Sequence, residues 1–171
     1  NMDVVYSDGS YYSIKVTGTD GKAANGVAVK ITGKISKTIT TKNGVARFKI
    51  SQVPGTYKIK ITALGKSVTK TITVKKATPK LTAKNKTFKS GDKTKKYSIS
   101  LKDNLGKPMK NVWVKLTIAK TTYKAKTNAK GKATFKIKKL TKKGTYKAVI
   151  TFKGNAQYNK ITKTVKIVVK K

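Results

Sequence analysis

Apolar residues along the chain alternate with lysine or threonine at a period of two. The first half carries Val27, Val29, Ile31, then Ala46, Phe48, Ile50, then Tyr57, Ile59, Ile61. The second half carries Tyr97, Ile99, Leu101; Val112, Val114, Leu116; Ala133, Phe135, Ile137; Tyr146, Ala148, Ile150, Phe152; and Val165, Ile167, Val169. Successive side chains of a strand point to opposite faces, so this pattern predicts strands with one buried and one solvated face. Turn signals separate the runs: Asp20-Gly21, Asn43-Gly44, Pro54-Gly55, Asn104-Leu105-Gly106 and Lys143-Gly144. No amphipathic helix is found. About six or seven short strands in each half predict a two-sheet sandwich.

The two halves are copies of each other. Tyr12–Thr32 aligns with Tyr97–Thr117 without a gap, sharing Tyr-Ser-Ile, a central Gly-Lys and Val-x-Val-Lys-x-Thr. Asn43-Gly44-Val45-Ala46-Arg47-Phe48-Lys49-Ile50 answers Lys130-Gly131-Lys132-Ala133-Thr134-Phe135-Lys136-Ile137, and Gly55-Thr56-Tyr57-Lys58 answers Gly144-Thr145-Tyr146-Lys147. Lysine bias alone does not keep Gly, Phe and Tyr in register, and a period of roughly 85–95 residues suits whole domains. The expected architecture is all-β: two tandem immunoglobulin-like β-sandwich domains, repeat 1 at 1–76 and repeat 2 at 77–171. Between them Val74–Leu81 reads as a short, rather rigid linker, because Pro79 cannot donate to a ladder. Asn1–Ser10 reads as short for a complete first strand.

The second copy resembles prokaryotic immunoglobulin-like repeats. The residues that carry the likeness are Ala77-Thr78-Pro79-Lys80-Leu81-Thr82, the Gly106-Lys107-Pro108 turn, Asn128–Phe135, Gly144-Thr145-Tyr146 and Gly154-Asn155-Ala156-Gln157-Tyr158-Asn159 before the last strand. The lysine and threonine richness is similar to the large adhesin-like surface proteins of methanogenic archaea. Copy one lacks the Gly-Asn-x-x-Tyr stretch. The resemblance implies extracellular exposure at the cell surface and a role in extending a stalk or in adhesion. It carries over no catalytic residue, and sandwich repeats host many functions.

Composition narrows the chemistry. Lys and Arg number 42 against five acidic residues, a formal charge of +37; Arg47 is the lone arginine, and every acid is an aspartate. Without His or Cys there is no Ser-His-Asp or Cys-His nucleophile and no zinc site of the usual ligands. Asp3, Asp8, Asp20, Asp92 and Asp103 are scattered, so paired-carboxylate chemistry is not expected, and neither an enzyme nor a cofactor or metal is. The missing cysteines leave the compartment open. No run of about 18 apolar residues occurs to cross a membrane as a helix. No signal peptide is visible, and the initial Asn1 reads as an excised or processed segment.

Several smaller features have more than one reading. Tyr57 and Tyr146, each two residues after a glycine, are either tyrosine corners or plain core aromatics. Trp113, the sole tryptophan, replaces Ala28 of copy one; by parity it points outward, toward a neighbouring repeat or a ligand. A Lys–Asn isopeptide cross-link in copy two would use Asn155 or Asn159, with Asp103 or Asp92 assisting. Asp20-Gly21 and Asp103-Asn104 read as turn formers before they read as calcium ligands. Asn85-Lys86-Thr87 fits a glycosylation sequon.

Lysines occupy the outward positions, including Lys15, Lys30, Lys49 and Lys166, and six form the candidate polyanion-binding set: Lys58, Lys60, Lys115, Lys136, Lys138 and Lys147. The expected partners are an anionic cell-wall polymer, a glycan or a partner cell surface, together with neighbouring repeats of the same chain. Nucleic acid is the rival partner. Any such surface binds it through counterion release, but one arginine offers little for base readout, so such binding is expected to be non-specific.

Overall fold

The alternating segments form fifteen strands and no helix in the computed structural model, which describes residues 1–171. The chain divides into two compact units, Asn1–Lys76 and Ala77–Lys171, each with its own core.

The first unit holds β1 (Met2–Val5), β2 (Tyr11–Lys15), β3 (Ala28–Gly33), β4 (Lys37–Thr40), β5 (Val45–Lys49), β6 (Gly55–Ala63) and β7 (Lys66–Lys75). One sheet runs β1-β7-β6-β3-β4 and the facing sheet is the pair β2-β5. The segment Asn1–Ser10 therefore does carry a strand: β1 lies parallel to β7, with Met2 opposite Ile72 and Val4 opposite Val74.

The second unit holds β8 (Lys80–Thr82), β9 (Lys86–Lys89), β10 (Lys95–Lys102), β11 (Trp113–Ile118), β12 (Thr121–Lys126), β13 (Lys132–Ile137), β14 (Gly144–Phe152) and β15 (Ile161–Lys170). Its sheets are β13-β10-β8 and β12-β11-β14-β15-β9. Strand β9 is the counterpart of β1, parallel to the final strand. Strand β8 has no counterpart within the first unit.

The register repeats between the units. Tyr12 lies opposite Phe48 and Ile14 opposite Ala46; Tyr97 lies opposite Phe135 and Ile99 opposite Ala133. These inward pairs supply the large side chains of one sheet, and Val29, Ile31, Ile59 and Ile72, or Val114, Leu116, Ile150 and Ile167, supply those of the other. Side chains stripped of water in this way provide the main driving force for folding.

The expected linker is largely taken up by the two units. Val74 is buried in β7, while Ala77 is buried in the second unit and bridges Tyr158. The Gly154–Asn159 loop makes that attachment. The Asn155 carboxamide oxygen accepts the amides of Gln157 (2.9 Å) and Tyr158 (2.8 Å). The Gln157 carbonyl then accepts the Ala77 amide at 3.0 Å, and the Asn159 amide donates to the Ala77 carbonyl at 2.8 Å.

Three inward positions are polar. Thr41 and Thr127 are buried in equivalent places, 3% and 2% exposed. Lys95 begins β10 on the same side as Tyr97 and is only 2% exposed. Its ammonium donates to the Asp92 carbonyl at 2.8 Å, which satisfies one of its three donors while the stem packs inward.

Candidate functional site

Four of the five aspartates hold turns. Asp20 accepts the Lys22 amide at 3.0 Å, and Asp103 accepts those of Leu105 (2.9 Å) and Lys107 (2.8 Å). Asp8 accepts Val5 and Ser10, and Asp92 accepts Lys89. Asp3 pairs with Lys75 at 3.0 Å. No three acidic side chains gather where they could share a metal ion. Asn155, a candidate for cross-linking, has its side-chain oxygen committed to the loop described above. Asn85 of the sequon uses its side-chain oxygen to accept the Lys166 amide at 2.8 Å.

The two candidate corner tyrosines both bond back to the chain before them. Tyr57 donates to the Val53 carbonyl at 2.6 Å and Tyr146 to the Lys142 carbonyl at 2.8 Å. A third tyrosine, Tyr97, is buried and donates to the Lys84 carbonyl at 2.6 Å. Burial raises its phenol above the ordinary value of 10.0.

The six candidate lysines are all exposed but do not form one patch. Lys58 and Lys60 lie on β6 of the first unit. Lys115 and Lys147 share the β12-β11-β14-β15-β9 sheet of the second unit, on β11 and β14. Lys136 lies on β13 of the facing sheet, and Lys138 follows that strand. Two faces of one sandwich point in opposite directions, so residues chosen by outward parity alone scatter over both.

What the structure does gather surrounds Trp113, which is 58% exposed on the outer face of β11. Lys126 stands opposite it on β12, with its ammonium 5.7 Å from the indole centroid, within cation–π range. Lys115, two residues on, stands opposite Lys124 on β12 and Thr151 on β14. Lys153 and Lys160 flank the Gly154–Asn159 loop and complete an open concavity of about 770 Å3 with Trp113, Lys115, Lys124 and Thr151. A neighbouring concavity past the edge of β12 brings in Lys136 and Lys132. Only Lys115 and Lys136 of the six come near the indole.

Lys124, Lys126, Lys153 and Lys160 were missed from sequence. Strand β12 is reached by a hairpin turn at Ala119-Lys120, both in the left-handed region (φ 48° and 62°). That is the backbone of a two-residue primed turn, which normally announces itself by Asn-Gly. Here no glycine or asparagine marks it. The available signal was the Thr122-Lys124-Lys126 alternation itself.

No family model matches the chain, and no curated protein is similar to it in sequence. Among solved structures, a multi-domain fragment of titin resembles it over 99% of this chain and 63% of its own length, with a TM-score of 0.52 at 17% identity. The fold is immunoglobulin-like. Fibronectin(III)-like modules of Clostridium thermocellum CbhA align over 99% of this chain and 89% of theirs (TM-score 0.40, 19% identity). Invasin, a bacterial integrin-binding protein, aligns over 98% of this chain and 38% of its own (TM-score 0.48, 19% identity). At such identities the immunoglobulin-like likeness is one of architecture, and this chain is an all-β pair of such sandwiches in series.

Proposed function

We propose that the chain is a structural and adhesive repeat segment of a cell-surface protein, of the adhesin-like kind that methanogenic archaea display, and that it associates with anionic envelope or host-surface polymers. One observation carries this reading: both sandwiches direct apolar residues inward and uncompensated lysines outward. Lys30, Lys58 and Lys60 in the first unit, and Lys115, Lys136, Lys147 and Lys166 in the second, are all exposed on strands. Such a surface repels itself unless a polyanion or salt screens it. Five aspartates against 42 lysine and arginine residues leave that charge nearly uncompensated.

The test compares retention of the chain on purified cell envelope and on duplex DNA at about 150 mM salt, where the screening length is about 8 Å. Retention on envelope is expected. Retention on DNA alone would overturn the reading and favour a cationic nucleic-acid-binding protein.

A further inference from the structure

The two units share one fold and one register, so each is a control for the other. Ala28 of the first unit stands opposite Thr40, and Lys30 opposite Thr38 and Thr62. The same positions of the second unit hold Trp113 opposite Lys126, and Lys115 opposite Lys124 and Thr151. Two residues beyond Thr62 and Thr151 come Leu64 and Lys153. The first sandwich thus forms this sheet with alanine, threonine and leucine where the second has an exposed indole and three more lysines.

Apart from the Lys126 contact with the indole, those replacements bring the second unit little that favours folding. Trp113 leaves most of its ring in water, forgoing the burial that makes tryptophan favourable. Lys115 and Lys124 are like charges placed directly across two paired strands, an arrangement that destabilises a sheet. An anion between them reverses the sign of that term. An aromatic face edged by lysines suits a ligand with an apolar face and negative groups at its rim.

We infer that the concavity formed by Trp113, Lys115, Lys124, Lys153 and Lys160, with Lys126 beside the indole, is a binding subsite for an acidic polysaccharide. The C–H face of one pyranose ring lies on the indole, and carboxylates of that ring and its neighbours accept charge-assisted hydrogen bonds from the surrounding ammonium groups. A lysine is a mobile point charge with three donors, which suits a polymer whose carboxylates recur at flexible spacing. Single-stranded nucleic acid fits less well. Its binding relies on successive stacking platforms, and here the indole stands alone, because the nearby Tyr123 ring packs against the core. The second unit also contains no arginine for planar phosphate or base contacts.

This subsite rests on the polyanion-binding reading above, and the experiment separates the two. Trp113 is the only tryptophan, so emission from the full chain reports on this position alone. The chain is titrated at about 150 mM salt with oligogalacturonate, with a neutral cello-oligosaccharide and with oligothymidylate. A saturable emission change with oligogalacturonate and none with the neutral sugar is expected. Calorimetry then compares Trp113→Ala and Lys124→Thr, which place the first unit's residues at these positions and so preserve folding. Each is expected to bind oligogalacturonate roughly tenfold more weakly, whereas Lys60→Thr in the first unit changes affinity less than about twofold. If the chain binds the acidic sugar but Trp113→Ala binds it equally well, the subsite is wrong and envelope association stands. If neither envelope nor acidic sugar is retained, both fall. A tighter emission response to oligothymidylate than to oligogalacturonate would overturn the subsite in favour of nucleic acid.

Discussion

The buried hydroxyl of Thr41 accepts the Val27 amide at 2.9 Å. The same hydroxyl donates to the Ala24 carbonyl at 2.7 Å, and in the second unit Thr127 accepts the Val112 amide at 2.9 Å. Each threonine ties a loop to the strand entering the larger sheet. Thr41→Val or Thr127→Val keeps the shape but leaves a partly buried N–H without its acceptor, and should cost about 1 kcal/mol. Serine at either position should restore most of it. Urea unfolding of the full chain measures both effects; an unchanged midpoint in the valine variants would show that the bond is dispensable.

The Ala119-Lys120 turn holds two non-glycine residues in the left-handed region. That conformation costs an L-residue roughly 1–2 kcal/mol. Lys120→Gly should therefore stabilise the second unit by up to about 1 kcal/mol, offset partly by glycine's greater freedom in the unfolded chain. A raised denaturation midpoint is the expected outcome.

Gly131 offers the opposite case. It sits at φ 73°, and a β-carbon there would lie 2.5 Å from the Leu101 carbonyl oxygen, a backbone atom that cannot move aside. Gly44 is its counterpart, with a β-carbon 2.6 Å from that of Ala23. Gly131→Ala should destabilise by more than about 2 kcal/mol, through steric overlap added to the unfavourable dihedral. Gly106 has φ 84° but open space around it, so Gly106→Ala should cost about 1 kcal/mol from the dihedral alone.

Alkaline pH should act through Tyr97. Burial raises its phenol above 10.0, so the folded state holds this proton more tightly than the unfolded chain does. The corresponding stability is fully present below the unfolded pKa near 10 and is lost as pH climbs through the raised folded value. The stability advantage of the wild type over Tyr97→Phe should therefore shrink between pH 8 and about pH 10.5. Paired urea titrations at the two pH values check the sign.

Salt should stabilise both units. At about 10 mM salt the screening length is about 30 Å and lysines repel across a whole sandwich; near 1 M it is about 3 Å. Melting temperature should rise steadily with sodium chloride over that range, and a short polyanion should match the effect at far lower concentration. A flat salt profile would mean the lysines are too well spaced to interact.

The inward faces were legible because strand parity is local. Val29 and Ile31, or Leu116 and Ile150, follow from two-residue alternation with no knowledge of their partners. Lys95 shows the limit of that reasoning. It precedes Tyr97 by two and so shares its inward side, yet lysine's charge argues for solvent. Its place was decided by the Asp92 carbonyl waiting at 2.8 Å. Thr41 and Thr127 escaped notice for the same reason: threonine occurs throughout the outer faces, and only the fold shows which two hydroxyls have a backbone amide to hold.

The duplication, the all-β architecture and the division into apolar and cationic faces are properties of short stretches of chain, and the residue order alone determined them. Which lysines stand beside Trp113 was decided only by folding. Lys126 and Lys124 face Trp113 and Lys115 through the hairpin register, and Lys153 and Lys160 arrive from the two ends of a loop far along the chain. Register is a relation between segments, set by turn geometry and by the shared core, and no single segment encodes it.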